Sequence, residues 1–211
     1  MTAPLPRMTP EEYLAFERAS EGKHEYVDGY VYAMSGARRA HVALTVNLIA
    51  ALRTRLRGGH CRPYSGDMRV GAGEGRPYFY PDVTALCGRP EFADGEFDTL
   101  LNPSVIVEVL SDSTEAYDRG DKFAHYQAVP SLREYVLVSQ HEVRVDRFVR
   151  GEGGAWVLTP LEGLGAVLEL PSVGCAVPLA ELYEDVELPA RVPGLRVLRE
   201  APPAYAAGGA R

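Results

Sequence analysis

Glu108 stands in the middle of Val-Ile-Val-Glu-Val-Leu (105–110), an apolar run with the length and β-branched content of a central strand. Burying an unpaired carboxylate there would cost several kcal/mol or more, so the group needs a proton, a metal ion or a cationic side chain. A second carboxylate, Asp82, follows Pro81 in the strand-like stretch 78–86. Fourteen residues beyond Glu108, Lys122 lies in the helical pattern 117–126. Two strand carboxylates and a lysine on the next helix outline an oxygen-lined site for a hard divalent ion. Mg²⁺ or Mn²⁺ suits such a set better than zinc, since it contains no cysteine. The corresponding chemistry is phosphodiester hydrolysis.

Each member also has a plainer reading. Asp82 after proline fits a turn, Glu108 fits a buried pair with an arginine, and Lys122 fits a surface pair with Asp118 at i, i+4. What favours the site is the coincidence of three such residues.

The elements that must position these groups read as follows. Thr9, Pro10 and Glu12 open a helix with a capping box that ends before Glu21-Gly22. A hairpin turns at Asp28-Gly29. Residues 37–57 form the longest helical pattern, with His41, Leu44, Thr45, Leu48 and Leu52 on one face and Gly58-Gly59 at its end. Strands are expected at 60–70, 78–87 and 104–111, then a helix over 115–128 and four further strand-like runs from Glu134 to Leu170. Residues 189–211, rich in Pro, Ala and Gly, read as a weakly ordered tail behind a single domain, 1–188. Strand alternation puts Val105, Val107 and Val109 on one face and Ile106, Glu108 and Leu110 on the other. Helix 115–128 can cross over to Glu-Tyr-Val-Leu-Val-Ser (134–139), making a parallel pair. The fold class is α/β, a mixed central sheet flanked by helices, with extra C-terminal strands.

Composition narrows the function. A net charge of −7 argues against a tight, non-specific nucleic-acid binder. Local basic surface decides more than the total, and Arg38, Arg39, Arg53, Arg55, Arg57, Arg62 and Arg69 crowd one stretch, as a solvated helix face or as phosphate contacts. Cys61, Cys87 and Cys175 are odd in number and form no CxxC pair; they read as buried thiols of a reducing, cytoplasmic compartment, not as a disulfide frame. No stretch is long and apolar enough for a membrane span.

With these residues in view, the chain resembles the PD-(D/E)xK nuclease superfamily, through Pro81-Asp82 and then Glu108-Val109-Leu110. More closely it resembles the bacterial Uma-type restriction endonuclease family. The resemblance covers about residues 8–150. It rests on four blocks in order: Glu25-Tyr-Val-Asp-Gly29, Tyr80-Pro-Asp-Val83, Asn102 to Ser111, and Asp118 to Gln127. It implies a restriction-endonuclease-like fold and a metal-dependent endonuclease acting on nucleic acid, DNA before RNA, with a homodimer the usual form for cutting two strands. Asp82 and Glu108 would be metal ligands, with His41 a further ligand or water-orienting group and Glu25 an added ligand or base. Tyr126, one turn beyond Lys122, and Arg38 and Arg39 would contact substrate. Asp67 is a further acid that could approach the site. The departure is Leu110, which stands where the superfamily has its lysine; Lys122 on the following helix is the replacement. A degenerate member that binds nucleic acid or protein without hydrolysis is the alternative.

Overall fold

The structure, a computed structural model, describes residues 7–73 and 77–189. The expected tail therefore lies outside the described residues except for Pro189. Helix α1 (Pro10–Ala19) starts on the expected capping box: the Glu12 N–H donates to Thr9 Oγ1 at 3.2 Å and the Thr9 N–H to Glu12 Oε2 at 2.7 Å. Strands β1 (His24–Val27) and β2 (Tyr30–Ala33) form the hairpin. Its turn places Asp28 and Gly29 at φ 50° and 90°, a left-handed pair that Asp and Gly adopt at least cost. Helix α2 (Arg39–Arg55) follows.

Two expected strands divide. The 60–70 stretch becomes β3 (Cys61–Ser65) and β4 (Arg69–Gly71), and 78–87 becomes β5 (Tyr78–Phe79) and β6 (Val83–Cys87). The halves belong to different sheets. At the second division Pro81, having no N–H, cannot continue a ladder, so the chain changes sheets just before Asp82. Next come β7 (Thr99–Leu100), β8 (Val105–Leu110), α3 (Glu115–Arg119) and α4 (Asp121–Gln127), so the single expected helix breaks at Gly120. The chain closes with β9 (Glu134–Ser139), β10 (Arg144–Arg150), β11 (Trp156–Glu162), β12 (Val167–Leu170), β13 (Cys175–Pro178) and α5 (Leu179–Leu182).

The larger sheet has six strands in the order β11-β10-β9-β8-β6-β3 and is mixed, since β8 and β9 run parallel as expected. A second, five-stranded sheet, β2-β1-β5-β4-β7, was not legible in advance. Every residue of β8 is buried, consistent with its unbroken apolar run and with layers on both faces. Val105, Val107 and Val109 pack against Leu44, Leu48 and Leu52 of α2 and against Leu168, Leu170 and Leu179. Ile106 and Leu110 on the opposite face meet Phe123 and Tyr126 of α4 and Val70 and Phe79 of the second sheet. Each fully buried side chain of this kind contributes about 1.5–3 kcal/mol. No helix among the described residues is long and apolar enough to cross a membrane.

The cysteine reading is corrected. Antiparallel pairing of β3 with β6 sets Cys61 directly opposite Cys87, and the two are joined in a disulfide; Cys175 is free. The pair has a sequence separation of 26, and only the strand register brings the two together.

Candidate active site at the seam of two sheets

The seam gathers one carboxylate from each direction. Glu108 comes from β8 in the large sheet, Glu25 from β1 in the small one, and Asp82 from the segment passing between them. The β6–β8 register ends at Val83 opposite Val107, so Asp82 lies just beyond the ladder, beside the end of β8 that carries Glu108 and Val109. Glu108 leaves the sheet on the side of α4, whereas Asp82 turns to the Val109 N–H and to His41 of α2.

Lys122 occupies the centre. Its Nζ lies 2.9 Å from Glu25 Oε1, 2.9 Å from Glu108 Oε1 and 3.6 Å from Asp118 Oδ1. The lysine thus reaches the strand carboxylates and Asp118 together, where the sequence left these as rival readings. Its side chain is 6 % exposed, so none of these is a surface pair. Tyr126 donates its hydroxyl to Glu108 Oε1 at 3.1 Å. Asp82 is anchored by the Val109 N–H, donating to Oδ2 at 2.7 Å, and lies 3.1 Å from His41 Nε2 in the first turn of α2. The Tyr80 N–H points at Glu25 Oε1, 3.4 Å away. Asp82 and His41, 22 % and 16 % exposed, form the rim that solvent reaches; Glu108 and Lys122 form the floor.

The charges do not cancel. Burial pushes the Glu108 carboxyl well above its usual range, with Lys122 pulling back and Asp118, Asp82 and Glu25 adding to the rise. Asp118 is raised for the same first reason, burial, against Lys122. For Lys122 burial works against the charge, but Glu108, Glu25 and Asp118 outweigh it, and its ammonium holds its proton well above the usual lysine range. One ammonium serves three carboxylates, Glu25, Glu108 and Asp118, while Asp82 faces His41; acids crowded this closely need a shared proton or a cation between them.

The donor set fits Mg²⁺ or Mn²⁺ in kind: carboxylate oxygens of Asp82, Glu108 and Glu25 with one imidazole at the rim. It is not contracted around an ion. Among the described residues the group of three His, Cys, Asp or Glu ligand atoms that closes to within 4.8 Å lies elsewhere, at His60, Cys61 and Cys87. Glu108 Oε1 is already taken up by the Lys122 ammonium and the Tyr126 hydroxyl, so an ion there would compete with Lys122 for that carboxylate.

Three expectations change. Tyr126 is fully buried in the core, so its hydroxyl supports Glu108 and does not meet substrate. Asp67 sits in an exposed turn, with its carboxylate paired to Lys23 and not to the cluster around Lys122. Arg69, counted with the basic stretch, is buried; its Nε donates to Thr99 Oγ1 at 2.9 Å and its NH2 lies 2.8 Å from Asp98. Arg38 and Arg39 remain on the surface at the start of α2, against Asp112 at 3.0 Å and Glu187 at 2.7 Å. The sequence reading missed Asp118 as a buried member of the cluster. Its spacing of four from Lys122 was visible, but its burial, set by the break at Gly120 and the packing of α3 on β8, was not.

Comparison with known proteins shows the family and the fold. A family model described as "Uma2: Putative restriction endonuclease" matches residues 10–180. Two Synechocystis sp. proteins are similar: "Uncharacterized protein slr1290", 37 % identical over 88 % of this chain and 96 % of its own length, and "Uncharacterized protein sll1609", 35 % identical over 77 % and 92 %. A crystal structure from Anabaena variabilis, described as "a putative nuclease belonging to DUF820", shares the fold with a TM-score of 0.68 at 15 % identity, covering 83 % of this chain and 97 % of that one.

Proposed function

The chain belongs to the Uma2 family, and from that premise we propose that it is a divalent-metal-dependent endonuclease that hydrolyses phosphodiester bonds, with DNA the first substrate to test. The observation that carries the reading is the buried, acid-rich cluster at the seam, with Lys122 supplied from α4 in place of a lysine at position 110.

Asp82, Glu108 and the rim imidazole of His41 would hold Mg²⁺ or Mn²⁺, with Glu25 joining directly or through water. When bound, such an ion polarises the phosphoryl oxygen and makes water a better nucleophile at neutral pH. The chain's own residues do the rest. Glu108 is held in one orientation by the Tyr126 hydroxyl, and Asp82 by the Val109 N–H, so both are preorganised. Lys122, a point charge that keeps its proton, orients the attacking water or stabilises negative charge on the phosphoryl group as it develops. Arg38 and Arg39, exposed just before His41 in sequence, would meet the flanking backbone phosphates by exchanging their present partners Asp112 and Glu187 for them.

The test is a cleavage assay with supercoiled and linear DNA, and with RNA, in Mg²⁺ and Mn²⁺. Cleavage by the wild type, absent with a chelator and absent in Asp82→Ala, supports the proposal. A folded wild type that binds nucleic acid but cleaves none of these with either ion favours the non-hydrolytic alternative, consistent with Leu110 in the lysine position.

A further inference from the structure

A second cluster able to do chemistry lies apart from the seam, where β3 forms the free edge of the large sheet. Cys61 pairs with Cys87 across β3 and β6, and the Gly88 N–H donates to the His60 carbonyl at 2.9 Å. That bond identifies Cys61 and Cys87 as a non-hydrogen-bonded pair, the position where facing side chains come closest. The two sulfurs are bonded, and a ring nitrogen of His60 falls within 4.8 Å of both. Cys61 is buried, Cys87 half-buried and His60 exposed, so the bond is approached from solvent through Cys87 with an imidazole at its side. The Cys87 sulfur also lies 3.5 Å from the Ser172 carbonyl, an acceptor ready for the thiol. Both the oxidised and the reduced form therefore have a place in the fold.

We propose that Cys61 and Cys87, assisted by His60, form a thiol–disulfide exchange site whose partner is a small-molecule thiol or disulfide. The proposal stands apart from the nuclease reading. On oxidation, His60 accepts the Cys87 proton, and the Cys87 thiolate attacks one sulfur of an external disulfide, forming a mixed disulfide and expelling one thiolate, which takes that proton from the imidazolium. His60 then accepts the Cys61 proton. The Cys61 thiolate attacks Cys87 Sγ, closing the intramolecular bond and releasing the second external thiolate, which takes the proton back from His60. Two protein thiols are oxidised and one external disulfide is reduced to two thiols; reduction retraces the steps. An imidazole beside the pair favours the thiolate and speeds the exchange. Closure ties off the segment 61–87, which contains Asp82, while Cys175 stands aside as a free thiol on β13.

The test uses the full-length wild type, folded, equilibrated in glutathione buffers from fully reduced to fully oxidised, acid-quenched, alkylated and weighed. The expected result is a single two-electron transition at Cys61 and Cys87 under native conditions, with Cys175 alkylated throughout. His60→Ala should slow oxidation on the order of tenfold, and Cys175→Ser should leave the midpoint unchanged. Thiols that stay free in oxidised glutathione overturn the proposal, as does a bond that opens only when the protein unfolds, or a midpoint that moves in Cys175→Ser. Uptake of one Zn²⁺ by the reduced protein, lost in His60→Ala and blocking oxidation, would overturn it in favour of a metal centre on the same three residues.

Discussion

Two polar networks meet strand β1 on its alternating sides, one running from a buried core out to the surface and one largely buried, and they balance their charges differently. On the His24 side, Glu17 meets His24 Nδ1 at 2.9 Å and accepts the Tyr80 hydroxyl at 3.0 Å. Tyr80 in turn accepts from Arg69 NH1 at 3.1 Å, and Asp98 lies against both Arg69 and Arg18, with Asp94 also on Arg18. Three carboxylates there face two guanidiniums and an imidazole. On the Glu25 side, Asp82, Glu108, Glu25 and Asp118 share one ammonium and the His41 imidazole. The first network is close to complete as folded and fixes the backbone that bears Glu25 and Asp82. The second is short of positive charge in a dry place, a condition a purely structural network would avoid. The difference is what makes the Glu25 side the proposed cation site, on charge balance and not on any motif.

The most damaging change to this contrast is Lys122→Ala. Turnover should fall by roughly 10²–10⁴-fold, with Mn²⁺ affinity largely retained, because a transition-state contact is removed and no ligand is. Single-turnover cleavage alongside calorimetric Mn²⁺ titration reads both quantities. Lys122→Arg should recover little, since a planar guanidinium cannot take the ammonium's position. An Ala variant as fast as wild type would remove Lys122 from the mechanism.

In the complete network the counterpart is Arg69→Met. Leaving Asp98 and Tyr80 without their buried partner should cost about 3–5 kcal/mol. Urea unfolding with and without Mn²⁺ should show the same loss in both, because no ion belongs there; recovery with Mn²⁺ would erase the distinction.

A smaller effect is expected from the ion itself. Mn²⁺ at about a hundredfold above its Kd should stabilise the wild type by about 2.7 kcal/mol. Glu108→Gln should lose most of that increment in a thermal melt. Equal responses from both proteins would mean Glu108 is not a ligand.

The smallest expected effect is a pH limb. Hydrogen bonds from Arg18, and then the charge of Arg69, hold the Asp98 carboxyl down to about 2 against burial. Its folded value lies below the unfolded one, about 3.9. The stability it confers is therefore present above pH ~4 and lost as the pH falls toward about 2. Asp98 is about a third exposed, so solvent screening keeps the contribution near 1 kcal/mol or less. Asp98→Asn should flatten that part of the acid unfolding curve, and an unchanged curve would mean the pairing is already screened out.

The α1 capping box, the Asp28-Gly29 hairpin and the buried strand at Glu108 were legible because each is set by local residue types. The parallel β8–β9 pair was legible because the crossover has one favoured hand. What stayed hidden was decided by register and by breaks. Pro81 marked a turn in the sequence, but nothing local said that the chain would leave one sheet for another there. The Cys61–Cys87 bond depends on a 26-residue excursion returning in phase. The spacing of Tyr126 put it on one helix face with Lys122, and the family resemblance implied a substrate contact; the layer formed by Phe79 and Tyr135 encloses it instead. Candidate residues could be named from type and spacing; their exposure could not.

The central claim is that the acid-rich side of β1, and not its balanced side, holds a divalent ion. An anomalous difference map from a crystal soaked in Mn²⁺ tests it most directly. The expected result is a peak bridging Asp82 and Glu108, with His41 or Glu25 completing the contacts and Lys122 displaced from Glu108 toward Asp118 or substrate. An empty seam at saturating Mn²⁺, with Lys122 still bonded to Glu25 and Glu108, would contradict the account.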